Sequence, residues 1–235
     1  MHNDSKPEVE EVISEDLPQD YDRLAVVYSL KEMFKLMADN PENINIIIYR
    51  RGPLSGDFNR LAFMLDELQT QAYKKNNRFD IDKILSQIIE HDEFDTELKA
   101  AASTVLNDRS DFYEQMPFRM GMHTRIERTI TPAIEEFHED SPRWRLMSCY
   151  NKPGTQWIKN DDVGESFLMH EYRSTISKMI EGAIIYEMQP GDIWAHAGRA
   201  NKKTEPFYHR GISVSEDHPP RLMTVCDSKN RFWNL

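Results

Sequence analysis

Phe137-His138-Glu139-Asp140, taken with Tyr208-His209-Arg210 far downstream, decides how the rest of the chain is read. In an extended segment, side chains two apart leave the same face, so a strand here points His138 and Asp140 in one direction. An imidazole and a carboxylate then stand side by side. A second imidazole brought in by a later strand completes two histidines and one carboxylate on one side of a metal, with the other positions open. His209 is the candidate third ligand. Because His-x-Asp also occurs on ordinary surface strands, the surrounding chain has to supply the context.

Around these residues the texture is that of short strands. Residues 118–128 (FRMGMHTRIER) alternate loosely, and from Trp144 onward runs rich in Val, Ile, Tyr and Phe are separated by turn signals. Strands are expected at 145–151, 155–158, 183–188, 193–196, 207–214 and 221–227, with turns at Pro153-Gly154 and Pro190-Gly191-Asp192. Such a series predicts a sandwich or small barrel. Residues 165–180 are less clearly patterned, and a short helix is expected at 174–180.

Upstream the period changes. Leu61, Met64, Leu65 and Leu68 recur at helical steps within 57–74, and 81–89 and 98–112 behave likewise, the latter with alanines at 100, 101 and 102. A further helix is expected over 24–37, ending at Asp39-Asn40-Pro41, and INIIIY at 44–49 is a buried strand by composition. Up to Asp22 there are eight acids and one lysine and no apolar period, so 1–22 is expected to be a disordered acidic tail. The fold class is therefore α+β: one globular domain, 23–235, with a mainly helical part (23–116) packed on a C-terminal β-barrel part (117–235).

Composition removes several function classes. A net charge of −11 argues against a general binder of nucleic acid or of anionic membranes, which use clustered Lys and Arg. No apolar run is long enough to span a bilayer, and the N-terminus lacks a secretory pattern, so a cytoplasmic location is expected. Cys149 and Cys226 are far apart and in no Cys-x-x-Cys arrangement, which fits packing rather than redox or zinc chemistry. Neither a Gly-rich phosphate loop nor a Gly-x-Ser-x-Gly segment is present.

Arg221 adds a cation to the constellation. A hairpin turning through 216–220 would lay the last two strands side by side, with Ser213 opposite Arg221 and His209 on the same face. The guanidinium would then reach into the same pocket and could hold a carboxylate through two parallel hydrogen bonds.

His-x-Asp, a distant His and a basic residue beyond it resemble the pattern of the iron(II) and 2-oxoglutarate dependent oxygenases, whose fold is a cupin-like double-stranded β-helix. The resemblance implies Fe(2+) on His138, Asp140 and His209, with Arg221 anchoring the far carboxylate of 2-oxoglutarate. Over a longer span, roughly 44–227, the chain resembles domain-of-unknown-function family 1826, a bacterial group without an established activity. Phe-His-Glu-Asp at 137–140, Cys-Tyr-Asn-Lys-Pro-Gly-Thr-Gln-Trp at 149–157, Gly191-Asp192, His209-Arg210 and Arg221-Leu222 carry that resemblance. The long acidic N-terminus and the segment His209-Arg210-Gly211-Ile212-Ser213 depart from it.

Other residues are weighed beside these. Tyr150 is placed at the cofactor, and Trp157 and Arg210 at a small-molecule or protein substrate, although aromatics in strands are more often core. His196 could replace His209, His170-Glu171 could form a metal pair, and His123 could line the barrel. Arg143 and Arg145 could receive an anion or lie on solvated strand edges. The function expected is a non-haem iron oxygenase dependent on 2-oxoglutarate. The alternative is a cupin-like metal-binding protein without that chemistry, non-enzymatic and linked to metal supply.

Overall fold

The computed structural model describes residues 11–75, 78–117, 120–127, 136–152, 154–169, 174–212 and 219–228. Within them the chain runs β1 (Val12–Ser14), β2 (Leu24–Val27), α1 (Leu30–Asp39), β3 (Ile46–Tyr49), α2 (Phe58–Lys74), α3 (Ile81–Glu90), α4 (Thr96–Gln115), β4 (Met120–Glu127), β5 (Phe137–Glu139), β6 (Trp144–Cys149) and β7 (Thr155–Ile158). It continues through β8 (Val163–Met169), β9 (Ser174–Met179), β10 (Ile184–Glu187), β11 (Ile193–Ala197), β12 (Tyr208–Gly211) and β13 (Arg221–Ser228). None of the described helices is long and apolar enough to cross a membrane.

The strands form two sheets, ordered β1-β10-β7-β12-β5-β9-β8 and β2-β3-β11-β6-β13-β4. Set aside β8 and β9, and the eight strands from β4 onward divide equally between them. The first, third, sixth and eighth lie in one sheet, and the second, fourth, fifth and seventh in the other. Among the described residues no strand pairs from one sheet to the other, so this is an open pair of sheets rather than the closed barrel expected from the sequence. Ile46, Ile48, Met147, Cys149, Trp157, Trp194, Phe207, Met223 and Val225 fill the space between the sheets.

The helices cover the other face of the six-stranded sheet. Leu61 and Leu65 of α2, Leu85 and Ile88 of α3 and Leu98, Ala101 and Val105 of α4 make one apolar layer with Tyr150 and Leu222. Asp57, Asp80 and Asp95 each cap a helix by accepting from a backbone N–H three residues on, which satisfies donors the first turn leaves free. Helical periodicity located all three helices because each has a single apolar stripe to bury.

Four expectations are corrected. The proposed helix over 24–37 begins only at Leu30; Leu24–Val27 pairs in parallel with β3, and Ser29 accepts from Glu32 N at the helix start. Ser29-x-x-Glu32 is the capping signal that marks this boundary. The helix expected at 174–180 is strand β9, paired antiparallel with β8, and Ser177 in it is buried. Part of the acidic tail is structured: β1 adds in parallel to β10, and Tyr21 is buried with its hydroxyl 2.8 Å from Asn160 Oδ1. Finally, β12 and β13 do not form a hairpin. They lie in different sheets, β12 beside β5 and β7 and β13 beside β4 and β6. Ser213 lies outside the described residues, and because β12 and β13 belong to different sheets, the even spacing that related it to His209 has no bearing on Arg221.

Candidate metal centre

Two rows of side chains meet across the gap between the sheets. In the six-stranded sheet His196, Arg145 and Asp227 are register partners across β11, β6 and β13. In the seven-stranded sheet His138 of β5 pairs with His209 of β12, which pairs in turn with Trp157 of β7. Asp140 follows β5 directly, two residues from His138 and therefore on its face. Sequence and topology divide the work: alternation aims each side chain inward, and strand order makes the rows coincide.

His138, Asp140 and His209 each present one donor atom within 4.8 Å of the others. His209 Nε2 lies 3.3 Å from Asp140 Oδ2, and the rings of His138 and His209 are 4.7 Å apart. His138 Nδ1 stands 3.1 Å from the carbonyl of Glu136, so that nitrogen donates and Nε2 keeps its lone pair. An outer hydrogen bond of this kind fixes the tautomer of metal-binding histidines.

Asp140 is held from several sides. Arg145 Nη1 donates to Oδ1 at 2.6 Å, and His196 Nε2 lies 2.9 Å from Oδ2. Arg145 also grips Asp227 through two nitrogens, at 2.6 and 2.8 Å. The backbone carbonyl of Asp140 accepts from Arg199 N at 2.8 Å. A Cβ at Gly198 would sit 2.5 Å from the Asp140 carbonyl oxygen and 2.3 Å from that of Pro142. Glycine there lets the end of β11 press against the loop that carries Asp140.

Electrostatics suit metal ligation. Burial pushes the Asp140 carboxyl up, but Arg145, His209 and His196 together outweigh it and leave it well below the usual carboxylate range. Burial, aided by His209, lowers His138 to about 4. Burial likewise lowers His196 and His209 despite the Asp140 charge. At neutral pH the centre therefore holds a carboxylate among uncharged imidazoles, the protonation states a divalent metal requires. His209 Nδ1 and the indole nitrogens of Trp157 and Trp194 are buried without a hydrogen-bond partner among the described residues.

The remaining sequence candidates are distributed as follows. Arg221 is buried and shares the inward face of β13 with Met223 and Val225; Nη1 donates to the Gly154 carbonyl at 2.6 Å. Trp157 faces the same space, packed against Tyr21, Tyr186 and Phe207. Tyr150 does not: it stacks on Phe58 among the helices, and its hydroxyl donates to Thr224 Oγ1 at 3.0 Å. Arg210, one residue from His209, leaves the opposite face, where it pairs with Glu11 and Gln156 and lies over the Phe137 ring. The His123 side chain and the pair His170-Glu171 lie outside the described residues, and Arg143 is half-buried beside β6. Cys149 and Cys226 are both buried, and neither is in a disulfide among the described residues.

Sequence reading undervalued Arg145 and His196. Each is one member of an alternating strand, and the signal available was parity. Arg145 and His196 fall in step with Met147 and Trp194, inward residues of the same strands.

The chain belongs to the DUF1826 family, described as a protein of unknown function, whose model matches residues 35–227. No curated protein matches the sequence. Among solved structures it is similar to a C-terminally truncated Neurospora crassa protein in apo form, with 12% identity, TM-score 0.43 and coverage of 91% of this chain and 97% of that one. The full-length form of that Neurospora crassa protein, solved in complex with alpha-KG, gives 13% identity, TM-score 0.41 and 92% and 87% coverage. The chain is also similar to the Arabidopsis thaliana dioxygenase for auxin oxidation in complex with 2-oxoglutarate (9% identity, TM-score 0.38, 90% and 93% coverage).

Proposed function

We propose that the protein is an oxygenase that holds iron(II) on His138, Asp140 and His209 and uses 2-oxoglutarate as co-substrate, on a double-stranded β-helix formed by eight strands of the two sheets. The convergence of those three donors between the sheets carries the reading. Two neutral imidazoles and one carboxylate are the donor set of non-haem iron(II) oxygenases. Bound there, the iron would supply the oxygen chemistry that side chains lack. The residues around it orient the ligands: Glu136 through its carbonyl on His138, Arg145 and His196 on Asp140.

Arg221 would receive the far carboxylate of the co-substrate. It reaches the Gly154 carbonyl, three residues along β7 from the Trp157–His209 pair, so it stands about 10 Å along the strand from the metal level. A five-carbon diacid chelated at a metal spans a comparable length. The indole N–H groups of Trp157 and Trp194, without a hydrogen-bond partner among the described residues, belong to the same core between the sheets and would donate to such an acceptor-rich guest. Anaerobic addition of iron(II) and 2-oxoglutarate is expected to produce a visible metal-to-ligand charge-transfer band, lost in His138→Ala; no band from the wild type overturns the reading.

A second reading keeps the metal and drops 2-oxoglutarate. Met147, Val225 and Met223 occupy the inward face between Arg145 and Arg221, so a diacid would have to displace or overlie them. Methionine is compliant enough for that. Arg221→Ala decides: it should raise the 2-oxoglutarate concentration needed for the band at least tenfold in the first reading, and leave metal-dependent turnover intact in the second.

A further inference from the structure

We infer that His196 is a positioning residue for the metal centre: with Arg145 it clamps Asp140 by one hydrogen bond to each oxygen and so fixes the orientation in which the carboxylate meets a metal. The inference rests on the metal reading above and concerns a residue outside the triad. His196 is fully buried, with Nε2 2.9 Å from Asp140 Oδ2, while Arg145 Nη1 occupies Oδ1 at 2.6 Å. Two acceptors do not approach to 2.9 Å, so His196 presents N–H to the carboxylate, and the geometry itself sets its tautomer. Each carboxylate oxygen has a second lone pair, so a donor on each fixes the plane of the group while leaving it able to ligate a metal.

The clamp is built into the sheet. His196 and Arg145 are register partners on neighbouring strands, and Phe207 and His209 flank the His196 ring at centroid distances of 5.1 and 4.6 Å. Gly198, two residues on, lets the same strand end touch the Asp140 loop. Both contacts tie the position of Asp140 to β11.

The test is cobalt(II) titration of the full chain, followed by its visible d–d absorption, in the wild type, His196→Leu and His196→Gln. Removal of the donor in His196→Leu should weaken cobalt binding about 10- to 100-fold, the range for lost outer-shell partners of metal ligands. His196→Gln keeps an N–H donor and should recover most of the affinity, with band positions unchanged from the wild type. Wild-type affinity in His196→Leu would overturn the clamp. A shifted band in His196→Gln at equal saturation would overturn it too, since it would make His196 itself a ligand. Failure of the wild type to take up cobalt would instead refute the metal site, and the clamp with it.

Discussion

Two buried polar clusters sit back to back on the six-stranded sheet. On its inner face Arg145 Nη1 lies 2.6 Å from Asp140; on its outer face, beneath α4, Arg51 Nη1 lies 2.6 Å from Asp108. The contact is the same, yet the two carboxyls titrate in opposite directions. Burial raises Asp108 and its guanidinium does not offset this, whereas burial of Asp140 is outweighed by Arg145 together with His209 and His196. The number of donors on a carboxylate, more than the presence of one cation, decides which way its pKa moves. The clusters differ equally in what else they offer. Around Asp108 stand the hydroxyls of Ser148, Tyr150 and Thr224, occupied by one another or by Arg51. Around Asp140 stand imidazoles with lone pairs to spare. One cluster anchors a helix to a sheet, and the other can hold a metal.

Replacing each carboxylate by its amide should separate the two most sharply. Asp140→Asn is expected to lower cobalt or iron affinity by more than about a hundredfold, beyond the loss of any outer-shell partner. Asp108→Asn should leave that affinity within about twofold and lower stability by about 1–3 kcal/mol, the cost of disturbing one buried polar group. Equal effects on metal uptake would erase the contrast.

Acid should distinguish the clusters next. His138 is lowered from 6.5 to about 4, so between those values the unfolded chain binds a proton that the folded one does not. Stability from this group is complete above 6.5 and is lost as pH falls through that window to about 4. His196 and His209 shift the same way and add to the loss. Asp108 shifts oppositely, its raised pKa favouring the folded state on protonation. Denaturant midpoints of the metal-free protein should therefore fall from about pH 7 to about pH 4.5, and His138→Gln should flatten the fall. An unchanged slope in that variant would mean the inner cluster is not what titrates.

Tyr150→Phe is the mildest probe. It removes one buried hydrogen bond, to Thr224, on the outer face, worth about 1 kcal/mol. A thermal midpoint lower by about 2–4 °C is expected, with metal affinity unchanged. A change in metal affinity would show that the sheet transmits between its faces.

How far the chain could be read without coordinates follows from the reach of each signal. Helices α2, α3 and α4 were legible because an apolar stripe repeats every turn, and the edges of β6, β7 and β11 because Pro and Gly mark their turns. His138 and Asp140 were legible as a pair because two-residue alternation is local. Tyr150 and Arg210 were misplaced although each has a definite parity, since parity says which residues share a face and not which face looks inward. Helix α1 was started too early because Leu24–Val27 takes its conformation from a parallel neighbour, β3, that no local pattern reveals.

By itself the sequence determined the amphipathic helices α2, α3 and α4, the turn-bounded strands, and His138, Asp140 and His209 as candidate donors. Only the tertiary structure decided which strands share a sheet, that β12 and β13 do not, and therefore that Arg145 and His196 of one sheet meet Asp140 and His209 of the other. The physical reason is range: backbone preference and side-chain alternation act over a few residues, whereas strand order is settled by burying both faces of the six-stranded sheet at once, between its partner sheet and the helices.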